Sequence, residues 1–193
     1  MPNLSSPPGV DIEEETDEQL VLKARGGDAR AFGTLIERHQ KPVAGFLLSL
    51  LGNLDLAEEA VQEAFVKAFQ SIESFQGRSS FRTWVARIAV NAARSRQRWA
   101  RLRQWLSLDA PAGEDGESWA ARLGDDGADL KRVERRLELE RAMTGLSPRE
   151  HEVAALRLEG YALGEIGAVL GVSEGTVKST LFTAVHKMKG KLG

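Results

Sequence analysis

His39, His151 and His186 are the side chains of this chain best suited to carry a proton or bind a metal, and their spacing suits neither task. No two of them stand one turn apart, as paired ligands on one helix would. No glycine-rich phosphate loop follows a strand-like run, and no serine sits in a nucleophile elbow. Each histidine therefore reads as a surface or boundary residue, with His186 adding to a basic C-terminal turn. The 193 residues include no cysteine, which removes a thiolate nucleophile, a thiolate metal site and a disulfide scaffold together. Neither catalysis nor a resident metal or cofactor is expected.

Chemistry of another kind is concentrated in residues 76–105. Arg78, Arg82, Arg87, Arg94, Arg96, Arg98, Arg101 and Arg103 lie there without one acidic residue, although the chain as a whole has a formal net charge of −2. Such sorting is a footprint for phosphate, because each cation that neutralises a phosphate releases a counterion. A second feature lies near the C-terminus. Leu163, Ile166, Leu170, Gly171, Val172, Val177 and Leu181 have the spacing by which two short helices pack across a sharp turn, as in a helix-turn-helix. Lys178, Ser179, Phe182 and Thr183 would then face base edges and backbone, with Lys187, Lys189 and Lys191 adding phosphate contacts. An ordinary helical hairpin with a solvated basic tail fits the same spacing.

The elements that must hold these residues are helical. Apolar residues recur at three and four in Leu20, Val21 and Ala24, in Phe32, Leu35, Ile36, Val43, Phe46, Leu47 and Leu50, and in Ala57, Val61, Ala64, Phe65, Ala68 and Ile72. A fourth helix is predicted over about 80–103, burying Phe81, Trp84, Val85, Ile88 and Ala92; Trp84 belongs to this apolar stripe rather than to a base-stacking platform. Asp28 and Asp55 stand where N-caps belong, and Gly52 and Gly77 where helices stop. Ser147, Pro148, Arg149 and Glu150 form a capping box with proline at the first helical position. Helices over 148–159, 162–170 and 174–191 follow.

The fold class expected is therefore all-α, as two small helical domains. Residues 1–16 form an acidic, proline-rich tail, 17–106 the first domain, 107–129 a flexible acidic linker rich in glycine, and 130–193 the helix-turn-helix domain. The apolar run 45–52 is interrupted by Ser49 and falls far short of the roughly 20 residues of a membrane-spanning helix. No direct membrane insertion and a cytoplasmic location are expected.

Particular segments add a family resemblance. The stretch 57–69, AEEAVQEAFVKAF, resembles the region 2.2 signature of bacterial sigma factors, and 75–91, FQGRSSFRTWVARIAVN, is similar to regions 2.3 and 2.4 of the extracytoplasmic-function (ECF, group 4) members of the sigma-70 family. Leu146-Ser147-Pro148-Arg149-Glu150 and Gly175-Thr176-Val177-Lys178-Ser179 resemble that group's region 4. The resemblance implies a partner, bacterial core RNA polymerase, met by the region 2.2 face of Glu59, Gln62, Glu63 and Lys67. It implies a second partner, promoter DNA. In the family the loop before the region 2.4 helix captures a flipped base of the −10 element, which here places Ser74, Gln76, Gly77, Arg78 and Ser79 at that base. Arg82, Arg87, Arg94 and Arg98 would follow the phosphates of the single strand, while Asn91 either bonds a base or caps an internal contact. The −35 duplex would be met by Glu174, Thr176, Lys178, Ser179, Phe182, Thr183 and Lys187. Many relatives carry arginines where this chain has Thr180, Thr183 and Val185, so fewer long cationic arms would reach the groove. An anti-sigma factor is a third implied partner. The competing reading is a stand-alone helix-turn-helix regulator that binds an operator without polymerase.

Overall fold

The computed structural model describes residues 15–106, 138–139 and 141–192, and the side chains of 100–106 and 192 are outside that description. The predicted linker and nearly all of the predicted acidic tail lie outside the described residues. The elements with described bounds follow one another as α1 Asp17–Arg25, α2 Ala29–Leu51, α3 Leu54–Ser71, a 3-10 turn Ile72–Ser74, α4 Phe81–Leu106, α5 Pro148–Leu158, α6 Leu163–Leu170 and α7 Glu174–Leu192, and residues 138–139 and 141–143 are also helical. No strand occurs among the described residues, so the fold is all-α.

Local chemistry sets the helix ends. Thr16 caps α1 with a full capping box closed by Gln19. Asp28 caps α2 by accepting from the amides of Arg30 (2.9 Å) and Ala31 (3.2 Å). The α3 cap differs from expectation: Asn53, not Asp55, accepts from the Leu56 amide at 2.9 Å, and Asp55 sits in the first turn. Asn53→Ala should cost about 1 kcal/mol of stability, and Asp55→Ala roughly half as much through the helix dipole. Urea unfolding of the two variants checks the order, and the reverse order would contradict the cap assignment. Gly52 ends α2 in the left-handed region (φ +64°), as expected. Gly77 does not end α3, which stops at Ser71; it takes φ +66° in the loop beyond the 3-10 turn.

The capping box before α5 forms as the sequence predicts. Ser147 Oγ accepts from the Glu150 amide at 3.3 Å, and Glu150 accepts from the Ser147 amide at 2.8 Å. Gly171 takes φ +70° at the sharp turn between α6 and α7, a conformation that costs glycine nothing.

Packing follows the predicted stripes. Leu35, Val43, Phe46 and Leu47 on α2, an alanine stripe of Ala57, Ala60, Ala64 and Ala68 on α3, and Phe81, Trp84, Val85 and Ala89 on α4 are buried together. The core does not stop at the N-terminal half. Met143, Val153, Leu156, Tyr161, Ile166, Leu170, Val177 and Ala184 join the same apolar cluster. Phe46 of α2 meets Tyr161 edge to face, with ring centroids 6.3 Å apart. The predicted domains are thus packed on each other, α2 against α5 and α4 against α6.

Candidate nucleic-acid and protein interface

The α3 face is built on the solvent side of the alanine stripe. Glu59, Gln62 and Lys67 are exposed and Glu63 is partly buried. Lys67 bonds Glu63 at 2.5 Å. Arg96 of α4 reaches across to donate to Glu59 at 2.6 Å and to Glu63 at 3.0 Å. The Lys67 hydrogen bond, with Arg96 adding to it, holds the Glu63 carboxyl below the usual carboxylate range. One arginine of the basic run is therefore spent on α3 rather than offered to phosphate. Val66 and Phe69 are also exposed on this helix, at 55% and 50%. They continue the Glu59–Gln62 row at three- and four-residue spacing, so the face is mixed polar and apolar. Sequence reasoning passed over both, although that same spacing marks them.

The loop from Ser74 to Ser80 hangs between two buried aromatic anchors. Phe75 lies 4.9 Å from Trp84 and 6.3 Å from Phe81, centroid to centroid, and Phe81 packs against Phe32 at 6.2 Å. Trp84 is a core residue, as expected. Ser80 opens α4, its Oγ accepting from the Thr83 amide at 3.2 Å. Gln76, Gly77 and Arg78 are exposed, Ser79 is half-buried, and Ser74 donates to the Ser71 carbonyl at 2.7 Å. A rigid base under a short polar loop can present backbone and hydroxyl groups to an unstacked base.

The arginines of α4 do not share one environment. Arg87, Asn91 and Arg98 are exposed. Arg82 turns into the junction between the two halves, where its guanidinium carbon sits 4.1 Å from the Tyr161 ring centroid and it donates to the Glu159 carbonyl. Arg94 forms a two-pronged pair with Glu152 of α5, at 2.6 and 2.8 Å. Thr83 donates to Glu165 at 3.2 Å. Two of the four predicted phosphate followers are thus occupied by the C-terminal half.

On α7, Glu174, Thr176, Lys178, Ser179, Phe182 and Thr183 are all exposed, opposite the buried Val177 and Ala184. Lys187, predicted to reach phosphate, instead bonds both oxygens of Glu150 at 2.8 Å. That pair holds the Glu150 carboxyl below its ordinary value, aided by the Ser147 amide. Lys191 is likewise turned back onto Thr144.

Of the three histidines, His39 departs from the expected surface or boundary position, while His151 is half-buried. His39 is a core residue whose Nε2 lies 2.6 Å from Asp17, because the stripe of α2 carries it inward beside Phe81. His151 faces Ser49 of α2 at 3.3 Å across the junction, in a recess it shares with Leu50, Arg94, Gln97 and Glu152. Only His186 is exposed. Among the described residues no group of three or more His, Asp or Glu could hold a metal. Burial pushes the His151 imidazole below its ordinary value of 6.5. The unfolded chain then binds the proton more readily than the folded one, so stability is complete above pH 6.5 and falls as the pH drops through the folded value. Thermal melts between pH 8 and 5.5 should show the melting temperature falling below about 6.5, and His151→Gln should flatten the fall. An unchanged slope in the variant would contradict the assignment.

Two family patterns match the chain, sigma-70 region 2 over residues 35–104 and sigma-70 region 4 over 142–190. The ECF RNA polymerase sigma-E factor of Haemophilus influenzae is 36% identical, the match covering 93% of this chain and 97% of that protein. The sigma-E factor of Escherichia coli K12 is 32% identical, with 93% and 96% covered. Among solved structures, CnrH in complex with the cytosolic domain of CnrY superposes with a TM-score of 0.68 at 26% identity, over 92% of this chain and 97% of that one. The sigma factor RpoE bound to the anti-sigma factor NepR from Bartonella quintana has the same fold, with a TM-score of 0.65 at 22% identity over 85% and 98%.

Proposed function

The chain belongs to the ECF RNA polymerase sigma factors of the sigma-70 family, and from that membership we infer how its three faces divide the work of transcription initiation. It binds core polymerase and directs it to promoters. Glu59, Gln62, Glu63 and Lys67 meet the polymerase, with Val66 and Phe69 supplying the apolar part of that contact. The Ser74–Ser79 loop takes a flipped base of the −10 element, and α7 reads the −35 duplex. Arg87 and Arg98 stand ready for phosphate. Arg82 and Arg94 become available once the two halves part, because their bonds to Glu159, Tyr161 and Glu152 exclude a phosphate at the same nitrogens. Separation on core polymerase also fits the need to span two promoter elements. The two matched regions are separated by residues 105–141, within which the acidic sequence 107–129 reads as a linker, and this supports a group 4 assignment. The mode of action is binding, not catalysis, and the place of action is the cytoplasm, where the polymerase is.

Solved relatives of this fold are complexes with the cytosolic domain of CnrY and with the anti-sigma factor NepR. We expect a corresponding anti-sigma factor here. Among the described residues no helix is long and apolar enough to cross a membrane.

The observation that carries this reading is the joint presence in one chain of the Phe75- and Phe81-anchored loop on an arginine helix and a helix-turn-helix. Retention of genomic DNA fragments by the purified protein, with and without sigma-free core polymerase, tests it. Retention of discrete fragments only when core is present is expected. Tight retention by the free protein would return the reading to an operator-binding regulator.

A further inference from the structure

Residues 178, 182, 185 and 189 recur at four, three and four along α7 and so form one stripe of that helix. The stripe is lysine, phenylalanine, valine, lysine. Its centre is apolar and open: Phe182 is 77% exposed, the most exposed large apolar side chain among the described residues, and Val185 is 39% exposed. Neither serves the core, which α7 meets through Val177 and Ala184. Lys178 and Lys189 are exposed at the two ends of the patch, a charge pattern that suits phosphates on either side of a groove.

The hydroxyls beside the stripe are poor donors to bases. Ser179 donates to the Thr176 carbonyl at 3.0 Å, Thr180 to the same carbonyl at 2.8 Å, and Thr183 to the Ser179 carbonyl at 3.2 Å. Lys187 is tied to Glu150. With these hydroxyls and Lys187 engaged within the fold, the stripe keeps its exposed lysines at its ends, and its centre offers no donor for two-pronged bonds to guanine. Thymine offers the alternative, since its 5-methyl group is the one apolar mark in the major groove.

We propose that Phe182 and Val185 form an apolar reading patch that selects thymine 5-methyl groups in the −35 element. This rests on the assignment of α7 to that element. The two residues are about 4.5 Å apart along the helix axis, so they cover one or two base pairs. Val185 thereby becomes a specificity residue beside Phe182.

The test uses holoenzyme made from the full chain and sigma-free core. Promoter libraries randomised across the −35 segment are selected for stable complexes. The enriched site is then made in two forms, with thymine or with uracil on both strands of that segment alone. Thymine at one or two fixed positions is expected, with a loss of complex of roughly three- to tenfold on changing to uracil. Phe182→Ala and Val185→Ala should each shrink the thymine-to-uracil ratio, and Phe182→Leu should keep part of it. Equal complex on both templates, or a ratio unchanged in Phe182→Ala, would overturn the proposal. Failure of holoenzyme to select any sequence would instead remove the sigma reading, and this inference with it.

Discussion

Glu63→Arg is expected to lower affinity for core polymerase by about ten- to a hundredfold, of the size seen when a close charge pair across an interface is reversed. Glu63 is the most engaged carboxylate of the α3 face, bonded by Lys67 and by Arg96. Reversal of its charge places three cations together on a face proposed to meet a partner by charge pairing. The fold should survive, since surface pairs of this exposure contribute at most about 1 kcal/mol. Circular dichroism melts separate the two effects. The loss should appear in core binding measured without DNA. Normal holoenzyme assembly would withdraw the α3 assignment.

The second large effect concerns stability. Tyr161 is fully buried where the halves meet, with Phe46 on one side and the Arg82 guanidinium on the other. Burial pushes its phenol above the ordinary value, with Arg82 opposing. Tyr161→Ala should cost about 3–5 kcal/mol, from lost transfer energy and the cavity left behind. Tyr161→Phe keeps the ring against both neighbours and should cost less than about 1 kcal/mol, since the cation–ring attraction does not need the hydroxyl. Urea unfolding of both variants reads the difference. A near-neutral alanine variant would mean that the halves do not pack through this residue in solution. Arg82 should also become more accessible in Tyr161→Ala, which carries the effect from packing into DNA contact.

Much of this was legible in the sequence because it is written in short-range rules. The Ser147–Glu150 box, the Asp28 cap, the Gly52 and Gly171 turns and the core position of Trp84 all follow from spacing and local hydrogen-bonding capacity. Asn53 and Asp55 both carry a side chain able to accept from a helix amide, and a shift of two residues in the helix start decides which one meets it. The fate of the arginines was not legible. Periodicity says which way Arg82, Arg94 and Arg96 point on α4, but not that Tyr161, Glu152 and Glu59 wait there on other helices. Such pairings depend on tertiary placement across tens of residues of chain. The burial of His39 is hidden for a related reason: a polar residue on an apolar stripe is acceptable once Asp17 is supplied from α1. Lys187 looked free until α5 brought Glu150 beside it.

Transcription reconstituted from purified chain, sigma-free core polymerase and genomic DNA of the source cell, with the 5′ ends of the products mapped, tests the central claim most directly. Discrete start sites that appear only with the chain, share two upstream elements and vanish with Glu63→Arg are the result expected of a promoter-specificity subunit. No new start sites, with tight duplex binding by the free protein, would contradict it.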